Sequence, residues 1–90
     1  MKQTQLTIEQ KLERFLIHEE RLKMTNIPHD AHLSLGGLLD SLSYATMLTF
    51  IHKEFGIFVD LSKLTMDQID TIQKIASLIR KQQAAKKRKR

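Results

Sequence analysis

The chain has 90 residues, of which 41% are hydrophobic, and this suffices for the core of one small domain. Cysteine is absent, which excludes a disulfide framework, cysteine catalysis and metal ligation by thiolates. The net charge of +5 equals the charge of KKRKR at residues 86–90, so the rest of the chain is electrically balanced.

The first predicted helix covers about residues 8–23. Thr7 and Gln10 stand at the spacing of a capping box, in which each side chain accepts a backbone amide hydrogen from the other residue. Apolar residues then recur at helical spacing and define the face that we expect to be buried, which consists of Ile8, Leu12, Phe15, Leu16 and Leu22.

A long connection is predicted at residues 24–39. Asn26 and Pro28 disfavour a helix at its start, and Gly36 and Gly37 disfavour one at its end. Structured connections of this length in compact domains are often functional. We expect the connection to pack against the core through its apolar residues, which are Ile27, Leu33, Leu35 and Leu38.

The second predicted helix begins at Asp40 or Ser41 and ends near Phe55, where Gly56 is placed to act as the C-cap. Residues 57–59 have a β-like composition, but the run is too short to need a strand partner, so we interpret it as a buried link. The main apolar stripe of the helix is predicted to consist of Leu42, Ala45, Leu48, Ile51 and Phe55, with Tyr44 and Met47 widening it.

A short helical turn is predicted within residues 61–69, and a last helix follows a cap at Asp70 or Thr71. This last helix is expected to fray within residues 80–90. The positions predicted to face inward are Leu61, Leu64 and Ile69 in the turn, and Ile72, Ile75, Ala76 and Ile79 in the helix.

These elements predict an all-α fold, namely a small bundle of three main helices and one short helix with a long first loop. The domain is predicted to span residues 1–80, with its core at about 7–80, and residues 81–90 are predicted to form a basic, disordered tail. The N-terminal sequence lacks the apolar stretch of a signal peptide, and no segment approaches a membrane span. We therefore expect a cytoplasmic protein, either free or close to a membrane.

Asp40 and Ser41 admit two interpretations at the start of the second helix. Both residue types are favoured N-caps, because a side-chain oxygen accepts a free amide hydrogen of the first turn. However, if Asp40 provides the cap, Ser41 is left at an exposed corner after a long apolar loop, where functional groups are often placed. A hydrolase nucleophile is disfavoured, because the motif G-x-S-x-G is absent.

The stretch LDSL at residues 39–42, with the helix ending KEFGI at 53–57, resembles the acyl and peptidyl carrier proteins. The form GLLDS is similar to the D-alanyl and aminoacyl carriers. Residues 59–76 also look like the short third helix and the fourth helix of that family. The likeness covers about residues 7–80 and implies a four-helix bundle of the acyl-carrier type.

The resemblance implies a carrier without catalytic activity of its own. Ser41 would bear 4′-phosphopantetheine, added by a phosphopantetheinyl transferase, and Asp40 and Leu42 would help this enzyme to dock. The thiol of the arm would hold an acyl or aminoacyl group as a thioester and present it to activating and transferring enzymes. The chain itself is expected to be a monomer.

One departure from the family concerns charge. Fatty-acid carriers have a strongly acidic second helix, whereas residues 41–55 of this chain contain only one acidic residue, Glu54. Complementary charge sets partner choice and encounter rate, so we expect a dedicated lipid or secondary-metabolite pathway with less basic partners. Phe50 lies off the apolar stripe and is either a single exposed aromatic or a contact for partner or cargo. The partner contact is predicted to be more apolar and to comprise Leu42, Ala45, Thr49 and Phe50.

The basic run Lys86–Arg90 has several interpretations. It is either a solvated tail or a weak contact for an anionic membrane surface, for nucleic acid or for an acidic partner. It lacks the interleaved aromatics that stack on bases, so no specific nucleic acid is expected. This charged tail also leaves an alternative to the carrier. In that alternative the chain is a carrier-like interaction module without a prosthetic group, and the tail binds a membrane, an acidic protein or nucleic acid.

The histidines and methionines predict no further site. His29 and His32 are three residues apart in the loop, but a metal site needs a third ligand, so we expect no metal there. His52 is expected on a solvated helix face. The internal methionines are expected to fill the core, and these are Met24, Met47 and Met66.

Overall fold

The structure is a computed structural model, and it describes residues 6–19, 26–34 and 37–88. Over these ranges the regular elements are all helical, without a strand. The α-helices are α1 (Ile8–Glu19), α2 (Ser41–Phe55) and α3 (Ile72–Arg88), and two short 3₁₀ helices lie between α2 and α3 at Leu61–Lys63 and Met66–Ile69. None of the described helices has the length and apolar character needed to cross a bilayer.

The predicted capping box starts α1. The Thr7 amide donates to Gln10 Oε1 at 2.9 Å, and the Gln10 amide donates to Thr7 Oγ1 at 3.1 Å. Both amides belong to the group that a helix start leaves without intrahelical partners, so the exchange stabilises the first turn. The predicted end of this helix, near residue 23, lies outside the described residues.

The predicted limits of α2 are confirmed. Asp40 is its N-cap, and Gly56 is its C-cap with a φ of 71°. A positive φ strains residues that carry a Cβ atom, which is why glycine suits this position. At the next helix, Thr71 Oγ1 accepts the Lys74 amide at 3.0 Å, so Thr71 provides the side-chain cap of α3.

The core lies between the three α-helices and the connections that join them. Leu12 and Leu16 of α1 are buried, and α1 packs against α3. All four positions predicted to face inward on α3 are buried, and these are Ile72, Ile75, Ala76 and Ile79.

The predicted apolar stripe of α2 is wrong at its start and confirmed further along. Leu42 is 75% exposed and Ala45 is also exposed, whereas Ile51 of the same stripe is buried. Tyr44 and Met47, which the sequence predicts to widen the stripe, are also buried. The predicted stripe advances mainly in three-residue steps, and each step falls about 60° short of a full helical turn. Leu42 and Ile51 therefore lie on opposite sides of the helix.

The segment between α2 and α3 alternates between buried and exposed positions. Ile57 and Val59 are buried as predicted for a link, but Phe58 between them is 69% exposed. In the 3₁₀ region, Ile69 is buried and Leu64 is half-buried, as predicted. The side chain of Leu61 lies outside the described set.

The described methionines differ in burial. Met47 is buried and confirms its predicted role in the core. Met66 is exposed at the start of the second 3₁₀ helix, so its predicted role as core filling is wrong. Met24 lies outside the described residues.

The helix α3 ends at Arg88, within the range 80–90 where the sequence predicts that it frays. It therefore continues eight residues past residue 80, the predicted limit of the domain. Ile79 is the last buried apolar side chain along the described part of α3, so the remaining turns lack a core-facing stripe. Residues 89 and 90 lie outside the described ranges, and the tail remains a prediction there.

Candidate functional site

The loop that leads to α2 is fastened to α1 and α3. The Ile27 amide donates to Glu13 Oε2 at 3.0 Å, and His29 Nε2 lies 2.8 Å from Glu13 Oε1. The Gln73 amide of α3 donates to the His29 carbonyl at 2.9 Å. The buried side chains of Ile27 and Leu33 add apolar contact, as the sequence predicts for this loop.

Asp70 holds the next part of the same loop. One carboxylate oxygen, Oδ2, lies 2.5 Å from His32 Nδ1, and the other accepts the Ser34 amide at 2.8 Å. The Asp70 carbonyl also accepts the Leu33 amide at 2.6 Å. The Asp70 side chain is 4% exposed, so one buried residue fixes three consecutive loop residues.

The two loop histidines are therefore partners of carboxylates. Each contacts one acidic side chain, Glu13 for His29 and Asp70 for His32. No group of three potential metal-ligating side chains occurs among the described residues. Sequence reasoning missed both pairs, because partners 16 and 38 residues apart leave no local pattern.

The start of α2 is set by Asp40. Its backbone is extended, with φ −112° and ψ −173°, and its Oδ1 accepts the Ser43 amide at 2.9 Å. Its carbonyl accepts the Tyr44 amide at 3.0 Å. The hydrogen bond from the Ser43 amide lowers the pKa of the exposed Asp40 carboxyl below its usual value. The cap is thus an ionised carboxylate at neutral pH.

Ser41 is the first residue of α2, and it is exposed. Its hydroxyl has no hydrogen-bond partner within the described part of the chain. Leu42 beside it is also exposed, whereas Ser43 is buried. The Asp40 carboxylate accepts the Ser43 amide of the first turn, so an anion attached to Ser41 would share the positive end of α2 with this carboxylate.

The predicted partner residues on α2 divide between surface and core. Ala45 and Thr49 are exposed, and Thr49 Oγ1 donates to the Ala45 carbonyl at 3.1 Å. Phe50 is half-buried and stacks on Phe15 of α1, with ring centroids 4.1 Å apart and an interplanar angle of 14°. Phe50 also meets Phe55 edge to face at 6.1 Å. Phe50 is thus part of an intramolecular aromatic cluster, neither fully exposed nor isolated.

The α2 helix carries little acidic charge, unlike the second helix of fatty-acid carriers. Its one acidic residue, Glu54, lies 3.2 Å from Lys11 Nζ of α1. His52 is exposed, as predicted, and its ring lies 6.4 Å from that of Phe58. Lys53 is also exposed. The outer surface of α2 therefore presents an apolar start, and its end exposes one basic and one acidic residue, Lys53 and Glu54.

Two surface grooves lie away from Ser41. One runs along α3 and the second 3₁₀ helix, with Leu64 and Leu78 among its lining residues. The other lies between α1 and the loop, and it includes Pro28 and His29. Neither groove is lined by a residue of α2.

No protein-family model matches this chain, and no curated protein sequence matches it significantly. The likeness to the acyl and peptidyl carriers therefore depends on the residues of the chain and on the geometry at the start of α2.

Proposed function

We propose that the protein is a non-catalytic carrier, which holds acyl or aminoacyl groups on a 4′-phosphopantetheine arm esterified to Ser41. One observation carries this proposal. The Ser41 hydroxyl is exposed at the first position of α2, between the capping Asp40 and the exposed Leu42. This placement joins the LDSL motif to a hydroxyl that a modifying enzyme can reach.

The residues at the start of α2 fit the group. A phosphodiester on Ser41 carries one negative charge, and the positive end of the α2 dipole offsets part of its repulsion from the Asp40 carboxylate. The arm supplies a thiol, which this cysteine-free chain lacks. The Asp40 carboxylate accepts the Ser43 amide and is thereby held in place beside the attachment point.

The attachment is a transfer of phosphopantetheine from coenzyme A. The Ser41 oxygen forms a bond to the phosphorus that bears the pantetheine, and the bond from this phosphorus to the bridging oxygen breaks. Adenosine 3′,5′-diphosphate leaves with that oxygen, and the hydroxyl proton passes to a base of the transferase. No described titratable side chain contacts the Ser41 hydroxyl, in keeping with an external enzyme as catalyst.

In this proposal the fold is the four-helix carrier bundle, with the two 3₁₀ helices at 61–69 in place of the short third helix. The protein acts as a cytoplasmic monomer in a specialised pathway. Leu42, Ala45 and Thr49 form the contact for the transferase and for the enzymes that load and unload the arm. The near absence of acidic residues on α2 favours partners that do not depend on basic patches.

The test is the intact mass of the chain after incubation with a phosphopantetheinyl transferase of broad specificity and coenzyme A. The wild-type chain is expected to gain the mass of one phosphopantetheine, and Ser41→Ala is expected to gain none. Ser77→Ala is the matched control, because Ser77 is an exposed helical serine far along the chain, and it should be modified like the wild type. An unmodified wild type, or equal modification of Ser41→Ala, would overturn the proposal.

A second candidate is binding of an acidic surface by the end of α3. The helix α3 contains no acidic residue from Ile72 to Arg88, and the basic run Lys86–Arg90 continues past its end. This candidate predicts that the unmodified chain binds a polyanion in a salt-sensitive manner. Deletion of residues 86–90 should abolish that binding and leave the modification of Ser41 unchanged.

A further inference from the structure

Asp70 is connected to Ser41 through the segment that precedes α2. Its carbonyl accepts the Leu33 amide at 2.6 Å. The Leu33 carbonyl in turn accepts the amides of Leu38 and Leu39, at 2.9 and 3.0 Å. Asp40 follows Leu39 directly, so the position of the α2 cap depends on a chain of hydrogen bonds that begins at Asp70.

A second connection reaches the helix from the other side. The Tyr44 hydroxyl donates to the Ile69 carbonyl at 3.2 Å, and the Tyr44 side chain is 2% exposed. Burial and the nearby Asp70 charge raise the pKa of Tyr44 to about 12, so this hydroxyl keeps its proton and remains a donor. Tyr44 lies three residues after Ser41, in the same turn of α2.

We propose that Asp70 is a positioning residue for Ser41. Its backbone and carboxylate hold the loop that delivers Asp40, and residues 69–70 hold Tyr44, so Ser41 is fixed on both sides. Asp70 does not contact the hydroxyl and takes no part in the chemistry. The role in modification depends on the proposed function, whereas the hydrogen-bonded connection does not.

Substitution can test the contribution of the Asp70 carboxylate, because it removes the side chain and leaves the backbone carbonyl in place. The carboxylate is buried and accepts the Ser34 amide through Oδ1, while Oδ2 meets His32 Nδ1. The His32 side chain is 57% exposed, so its substitution removes one contact of the carboxylate without opening the core. Asp67 offers a matched control three residues earlier, since its side chain is 88% exposed.

The first measurement is amide hydrogen exchange on the unmodified chain, which needs no transferase. Asp70→Ala removes both side-chain acceptors and should speed the exchange of the Ser34, Leu38, Leu39 and Ser43 amides by about tenfold or more, as expected for a segment that opens locally. The amides of Leu16 and Ile79, in α1 and α3, should exchange as in the wild type. Asp67→Ala should change none of these rates.

The second measurement separates KM from kcat for modification of Ser41. If Asp70→Ala lowers the fraction of molecules with an ordered α2 start to about one tenth, KM should rise about tenfold while kcat changes little. A purely structural role for Asp70 would leave KM unchanged for the molecules that remain folded. Asp67→Ala should retain both wild-type values.

The results distinguish a failure of the role assigned to Asp70 from a failure of the proposed function. Unchanged exchange in Asp70→Ala, or equal acceleration across α1, α2 and α3, would overturn the proposal. If Asp70→Ala does not fold, His32→Ala replaces it, and it must show the same local pattern at smaller amplitude. If the wild type is not modified at all, the proposed function fails, but the exchange measurement still decides whether Asp70 orders the start of α2.

Discussion

Glu9 of α1 and Arg80 of α3 form a two-pronged ion pair, in which Arg80 Nη1 and Nη2 lie 2.7 and 2.6 Å from the two carboxylate oxygens of Glu9. The pair joins residues 71 positions apart at the contact between the two helices. The hydrogen bonds from Arg80 lower the pKa of Glu9 from 4.5 to about 2. The pair is therefore ionised at neutral pH and links the first turn of α1 to α3.

Substitution of Arg80 by Gln is expected to lower the free energy of unfolding by about 1 kcal/mol at neutral pH. The expected loss is small because the Arg80 side chain is about half exposed to solvent, where ion pairs contribute little. A depressed carboxyl pKa stabilises the fold above the unfolded value, so this contribution is complete above pH 4.5 and is lost as the pH falls towards 2. Urea unfolding at neutral pH and near pH 2 measures the difference.

Arg14→Gln is the control for this prediction. Arg14 is an exposed residue of α1 and forms no ion pair with any described residue. Its substitution should leave the free energy of unfolding nearly unchanged at both pH values. The free energies of unfolding of the wild type and Arg80→Gln should differ less near pH 2 than at neutral pH. An equally large difference at both pH values would contradict the role assigned to the ion pair.

Removal of the α2 cap should destabilise the start of that helix. Asp40→Ala leaves the Ser43 amide without its acceptor, so we expect a lower urea midpoint and faster exchange of that amide. Asp40→Asn retains an oxygen acceptor and should behave more like the wild type. Because the hydrogen bond lowers the pKa of Asp40, the advantage of the carboxylate should be present above its usual pKa of 3.8 and be lost as the pH falls below it. An equal loss in Asp40→Asn and Asp40→Ala would contradict this account.

The orientation of α2 gives a matched pair of truncations. Ile51 is fully buried, so Ile51→Ala should lower the free energy of unfolding by about 2–5 kcal/mol through lost packing and a residual cavity. Leu42 is 75% exposed, so Leu42→Ala should change it by less than about 0.5 kcal/mol. Urea unfolding measures both, and comparable losses in the two variants would show that α2 is rotated from its described orientation.

Local chemistry explains what the sequence predicted well. Thr7 with Gln10, Asp40 with Ser43, and Gly56 act through contacts within one helical turn, so residue identity and spacing are enough to place the helix ends. The four inward positions of α3 also follow from one helical periodicity, because a single strongly apolar face leaves no alternative orientation.

Tertiary contacts explain what the sequence did not predict. The α2 helix has apolar residues around much of its circumference, so the face that becomes buried depends on where α1 and α3 lie. The pairing of His32 with Asp70 spans 38 residues, and a loop histidine gives no sign of such a partner. The exposed position of Ser41, on which the candidate site depends, followed from the capping role of Asp40 and needed no tertiary information.

The aromatic cluster decides whether Phe50 is a core or a surface residue. It stacks on Phe15 and lies edge to face with Phe55, so Phe50→Ala should lower the free energy of unfolding by about 2 kcal/mol, less than a fully buried phenylalanine would. Phe58→Ala is the aromatic control, and at 69% exposure it should have an effect below about 0.5 kcal/mol. A double-mutant cycle of Phe15 and Phe50 should give a coupling of about 0.5–1.5 kcal/mol, since stacked rings contribute beyond their buried area. A coupling near zero would remove Phe50 from the cluster and restore it as a surface contact for partner enzymes.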